Sequence, residues 1–250
     1  MRRIGWLATG VGLMVNVWLV PLASAEPFFD LYTGKSFTRN GDVRIQQGAI
    51  GNDFTFRDVS FDDESFKTPP WYGLRAGYFF ERYPWLGAAI EVFHFKVLAE
   101  TAESKPLQGT RNGAAVDATA RVDSIVQQFQ ITHGVNYLAF DVLVRHSLLQ
   151  DPDRFPKGRV QLYGGVGVGP VIAHAENRID SVRNDERYEV AGVGVQALVG
   201  VRALLFKYFG VFAEYKFTHS SLTVGVASGD AHLDENTHHL IGGITIPFSF

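Results

Sequence analysis

Toward the end of the chain, Leu240, Ile244, Ile246, Phe248 and Phe250 fall on one parity, with Gly243, Thr245, Pro247 and Ser249 on the other. A period of two with one apolar face marks a strand. The same alternation recurs in seven earlier segments, predicting strands over 28–37, 71–80, 86–97, 133–145, 160–174, 189–203, 209–219 and 238–250. Seven charged residues, Arg75, Glu91, Asp141, Arg145, Arg202, Glu214 and Lys216, stand opposite the apolar parity of their strands. A soluble lipocalin-like barrel, also eight-stranded, would turn its apolar face inward around a ligand. Here the charges can pair inside a narrow barrel, whereas one pointing outward near a bilayer midplane would cost about 2–4 kcal/mol. The pattern therefore predicts an all-β fold, an eight-stranded antiparallel transmembrane β-barrel of the outer-membrane type. Its interior should be filled by side chains and leave no wide pore.

The connections support the same reading. Those after the first, third, fifth and seventh strands are long and polar, over 38–70, 98–132, 175–188 and 220–236. Those after the second and sixth are tight, and "HSLLQDPDRFPKG" after the fourth is intermediate. Short turns on one side and long loops on the other are expected of such a barrel with a periplasmic N-terminus and extracellular loops.

The beginning of the chain adds a compartment. Two arginines, an uncharged apolar run from Ile4 to Val20 and the small-residue site Ala23-Ser24-Ala25 read as a cleaved signal peptide over 1–25. The barrel is then expected over 26–250, in a bacterial outer membrane. Beyond the leader no apolar run is long enough for a membrane helix. The chain has no Cys, so an exported fold must be held by sheet closure rather than disulfides. A net charge of −3 with no basic run argues against nucleic acid. "GGVGVGP" at 164–170 alternates at strand period with no helix pattern after it, which argues against a nucleotide loop. Its glycines are expected to make room for bulkier lumen neighbours. "PPW" at 69–71 reads as the end of the first long loop and an interfacial tryptophan.

Histidine supplies the candidate chemistry. His94, His133, His174, His219, His238 and His239 all fall at predicted strand ends on the loop-bearing rim. Barrel closure can bring such ends together with Glu176, Lys96 or Asp234. Imidazoles with a carboxylate suit zinc, copper or non-haem iron, and also proton transfer. Parity sets His133 and His239 with the lumen residues and His94 and His219 with the opposite face, unless bulges turn the strands.

The segments "DVSFDDESFKTPPWYGLRAGYFF", "FHFKV", "THGVNYLAFDVLVR", "YGGVGVGPVIAHAE", "FAEYKFTHSS" and "THHLIGGITIPFSF" resemble the small outer-membrane barrels related to rhizobial lipid A oxidase. The clearest matches are His94 and Lys96, His133-Gly134 with Asn136, His174 and Glu176, and Glu214-Tyr215-Lys216. The resemblance implies oxygen-dependent oxidation of the proximal glucosamine of lipid A to 2-aminogluconate. Activating oxygen requires a redox metal or organic cofactor. Without Cys or a nucleotide motif, a His-rich metal site is the most economical expectation. The candidate ligands are His94, His133, His174 and His239. Glu176 is a ligand or base, His133 and His174 are the catalytic pair beside it, and Lys96 is a partner for lipid phosphate. Lipid A in the outer membrane is the expected partner of a monomeric barrel, and oxygen the co-substrate. A structural or adhesion barrel would need no metal, and a channel for small apolar compounds would need a continuous lumen.

Overall fold

The computed structural model describes residues 25–248. Residues 1–24 of the expected leader, Ser249 and Phe250 lie outside them. Eight long strands form the barrel: β1 (Ala25–Thr38), β2 (Tyr72–Phe80), β3 (Leu86–Ala99), β4 (Val126–Leu148), β5 (Val160–His174), β6 (Tyr188–Phe206), β7 (Phe209–Val226) and β8 (Gly229–Pro247). Each pairs antiparallel with the next, and β8 returns to β1 with Phe28 opposite Pro247 and Thr38 opposite Thr237. Closure leaves the barrel wall with no free edge, which is what a lipid environment requires of strands. No helix among the described residues is long and apolar enough to cross a membrane.

Alternation sorts the two faces as the sequence predicts. Ile90, Phe140, Val142, Val166 and Val199 point outward with about half or more of their surface free. On β4 the outward positions run from Leu138 to Leu148. Ten residue steps of about 3.3 Å at a tilt near 40° give a band about 25 Å tall, the usual height of a lipid-facing belt. Inside, all seven predicted lumen charges are buried, and Glu26, Asp30 and Glu235 join them. Arg75 sits at the centre, 2.6 Å from Glu91, 2.9 Å from Glu214 and 3.5 Å from Asp30. Lys216 pairs with Glu91 at 2.7 Å, and Arg202 with Asp30 at 2.9 Å. Gln196 donates to Asp141 at 2.5 Å. A filled, ion-paired interior opposes the continuous lumen that a channel for apolar compounds would need. The β5 glycines admit these side chains: a Cβ on Gly167 would lie 1.9 Å from the Asp141 carboxylate, and one on Gly165 2.6 Å from Leu143.

The long connections differ from expectation. Residues 220–236 form no loop, because β7 and β8 continue to a tight turn at Ala227 and Ser228. Leu222, Val224, Val226, Ala231 and Leu233 keep the inward period of two through this stretch, although polar residues dominate its composition. Residues 38–70 and 98–132 also fold, into strands Gly41–Gln47, Asn52–Val59, Ser104–Arg111 and Ala114–Arg121. The first of these pairs with β8, where Val43 lies opposite Leu233, and the others follow in order. Val43, Ile45, Phe54, Phe56, Leu107, Phe129 and Ile131 are buried beneath them. Above the band the barrel is therefore filled as a soluble protein is, with apolar side chains inside, whereas within the band its interior is charged.

Candidate functional site

Three of the candidate residues come together on the outer wall, just above the apolar band. Across β3 and β4, Phe95 pairs with Val135 but Val97 pairs with Ile131, so Lys96 alone faces Thr132, His133 and Gly134. The bulge breaks the parity of β4 and turns His133 outward, with 56% of its side chain exposed. Gly134 makes this possible. Its φ is +106°, and a Cβ there would stand 2.0 Å from His94 Nδ1. Asn136 fastens the turn, donating to Gly134 O and Ile172 O at 3.1 Å each.

His174, last residue of β5, lies outward beside this bulge, and its ring centroid is 4.8 Å from that of His133. Glu176 follows in the strand Glu176–Ile179, which pairs with β4 at Gln130. His133 Nδ1 donates to Glu176 Oε1 at 2.7 Å, and Thr132 Oγ1 donates to the same oxygen. Burial alone would push the Glu176 carboxyl up, but the hydrogen bonds from Thr132 and His133 and the nearby imidazoles outweigh it and hold it below its ordinary value. One donor atom each from His133, His174 and Glu176 lie within 4.8 Å of one another. With Nδ1 committed to Glu176, His133 keeps Nε2 free to bind a metal or take a proton, the usual carboxylate–histidine arrangement.

His94 is adjacent but separate. It packs flat against Tyr72, with centroids 5.1 Å apart and planes 12° apart. Its Nδ1 lies 3.0 Å from Asn136 Oδ1. Because the Asn136 amide group donates to carbonyls, Oδ1 accepts and His94 Nδ1 carries the proton, which leaves the buried Nε2 as a lone pair without a partner. His174 Nδ1 is likewise buried and unpartnered. Tyr188 stands 4.8 Å from the His174 ring, so tyrosines border the site on both sides, as interfacial aromatics do.

Two expectations need correction. His239 is no partner of the other histidines, because it keeps the lumen parity of β8 and is fully buried among Trp71, Phe93 and Phe95. Its Nδ1 accepts from Trp71 Nε1 at 3.3 Å and lies 3.0 Å from Ser36 Oγ, and its Nε2 is 3.1 Å from Thr218 Oγ1. Lys96 is no phosphate anchor, since only 4% of it is exposed and its Nζ donates to Lys67 O and Thr68 O at 3.0 and 3.3 Å. The segment between Asp62 and Trp71 covers it, and strand periodicity gives no sign of such a cover. His219 and His238, also on the outer face, pair locally with Asn236 and Tyr215. Thr132, Tyr72 and Tyr188 carry no signal of their own in the sequence, although a glycine directly after a strand-end histidine is a cue for the bulge that holds Thr132.

Gly134→Ala is expected to lower the unfolding midpoint by the equivalent of about 1–3 kcal/mol, because His94 must move and φ is strained. Cobalt affinity should fall at least about tenfold as the bulge shifts His133. Denaturant unfolding and the cobalt d–d absorption read these two effects separately.

No family model matches the chain, and no curated protein does. Among solved structures it is similar to Neisserial surface protein A, at 10% identity and a TM-score of 0.40, covering 89% of this chain and 96% of that one. It is also similar to OprG from Pseudomonas aeruginosa, at 12% and 0.38, covering 90% and 95%. The outer membrane protease OmpT from Escherichia coli gives 7% and 0.41, with 89% and 97% covered. Likenesses of this grade transfer neither activity nor site residues.

Proposed function

We propose that this barrel is an outer-membrane enzyme that uses oxygen to oxidise the proximal glucosamine of lipid A to 2-aminogluconate. One observation carries the reading: His133, His174 and Glu176 face outward at the top of the apolar band. With the short turns in the periplasm, that height belongs to the sugars of the outer leaflet. A site opening sideways onto lipid meets a glycolipid headgroup rather than a soluble substrate.

The residues suit the chemistry. The His174 imidazole and the Glu176 carboxylate offer a donor pair compatible with iron, copper or zinc, with the His133 ring beside them. A bound redox metal would pass electrons to oxygen. His133 Nε2, oriented by Glu176, takes the proton of the anomeric hydroxyl. The C1–H and O–H bonds of the hemiacetal are lost, two electrons and two protons reduce oxygen to hydrogen peroxide, and C1 becomes a lactone carbonyl. Water then opens the lactone to the acid. A phosphate on the anomeric oxygen leaves no proton to remove and blocks the reaction.

Metal-reconstituted barrel with lipid A bearing a free anomeric hydroxyl is expected to form one peroxide per acid, and none with the anomeric phosphate. Equal turnover of both lipids would sink the assignment. A second reading, a non-enzymatic surface or adhesion barrel, is favoured by the folded sheet above the membrane with its own apolar core. It predicts no lipid product from either substrate.

A further inference from the structure

The opposite mouth of the barrel holds a cavity of ≈ 270 Å³. The connection between β4 and β5 folds over it, tied by backbone bonds between Asp151 and Phe155 at 2.8 and 3.1 Å and from Arg159 N to Leu149 O at 3.1 Å. Its wall carries five cations, Arg145, Arg154, Lys157, Arg202 and Lys207, against two anions, Glu26 and Asp153. Glu26 is shared by Arg145 and Lys157, and Arg202 binds Asp30, which leaves Arg154 and Lys207 with Asp153 as the remaining wall charges.

Arg202 is the informative member. It is 95% buried, its Nη2 binds Asp30, and its Nε has no partner. An unpartnered buried donor normally calls for a ligand or an ordered water. The guanidinium is held 4.6 Å from the Phe28 ring and that of Arg145 4.0 Å from Phe79, so both present their edges rather than their faces. Phe28, Phe79 and Phe155 make much of the remaining wall apolar. The ion-paired layer around Arg75 closes the lumen above, so the cavity is a blind vestibule and not the start of a channel.

We infer that this vestibule is a binding site for a small carboxylate with an apolar or aromatic body. The carboxylate meets Arg202 Nε and the Lys207 ammonium group at the mouth, and its body lies on the phenylalanine rings. A planar acid suits the edge-on guanidinium, and a half-apolar wall disfavours fully hydrated inorganic anions. Such a group belongs either to a free small acid or to the end of a peptide chain.

The test is fluorine NMR of 4-fluorobenzoate and neutral 4-fluorobenzamide, each titrated into the full chain refolded in lipid nanodiscs. Saturable broadening of the acid alone is expected. Lys207→Gln should weaken it at least about tenfold while keeping the gel mobility of a folded barrel. Arg202→Gln serves as a second variant where its mobility is also native. A Phe-ending tripeptide, as free acid and as amide, separates the sources: competition by the acid assigns chain ends, and its failure assigns free small acids. Equal binding of acid and amide, displacement by equimolar phosphate, or undiminished binding in the lysine variant overturns the inference.

Discussion

Replacing Arg75 by Met is expected to destabilise the barrel by about 3–5 kcal/mol, the largest single effect in the membrane-spanning part. The guanidinium is fully buried and contacts Glu91, Glu214 and Asp30. Removing it leaves carboxylates facing one another in a space that water does not reach. Arg75→Lys should rescue little, because one ammonium cannot reproduce the forked contact with Glu214 at 2.9 Å from both terminal nitrogens. The double variant Arg75→Met/Glu214→Gln should recover a substantial share. It removes one charge of each sign and leaves Lys216 on Glu91, Arg202 on Asp30 and Gln196 on Asp141. Urea unfolding in bilayers, followed by heat-modifiable gel mobility, measures all three. A single variant as stable as the parent would show that the network fills space without holding the barrel.

The second large effect is on activity. His133→Ala should reduce turnover at least about a hundredfold, since it removes the group placed to take the anomeric proton. Glu176→Gln should cost about 10–100-fold by releasing the imidazole from its orientation. Both residues are at the surface of the wall, so both variants should unfold at the parent's midpoint. His239→Ala and Lys96→Ala provide the contrast. His239 fills the lumen and Lys96 pins a covering segment, so each should lower stability and leave the turnover of the folded fraction within about threefold. Loss of turnover in Lys96→Ala with native stability would restore it to the substrate site.

The barrel was readable because period-two alternation is local and survives without knowledge of the partner strand. Arg75, Glu91 and Glu214 stand opposite the apolar parity in their own segments, and that is where the structure buries them. Asp30 stands opposite Phe29 and Leu31 in β1 in the same way, and it too is buried. The apolar core above the membrane was missed for a different reason. Leu222, Val224 and Leu233 keep strand period, yet the intervening Ser, Asp, Glu and His residues give the stretch the composition of a loop. At the site, parity separates His94 from His239 but misplaces His133, because His133 lies within the bulge opposite Lys96, while Ile131 and Val135 on either side keep the same inward parity. Only the glycine hinted at that. The burial of Lys96 depends on a segment some thirty residues earlier folding over it, and no local pattern encodes that contact.

The central claim is that the outward cluster of His133, His174 and Glu176 oxidises lipid A. The most direct measurement is the mass spectrum of lipid A from an outer membrane carrying the folded barrel, in a host whose lipid A lacks the anomeric phosphate, grown under air and then under nitrogen. The account predicts a gain of one oxygen atom under air only, absent when His133→Ala replaces the parent. Unchanged lipid A under air, with the barrel shown to be folded and metal-loaded, would contradict it and leave a surface barrel without this activity.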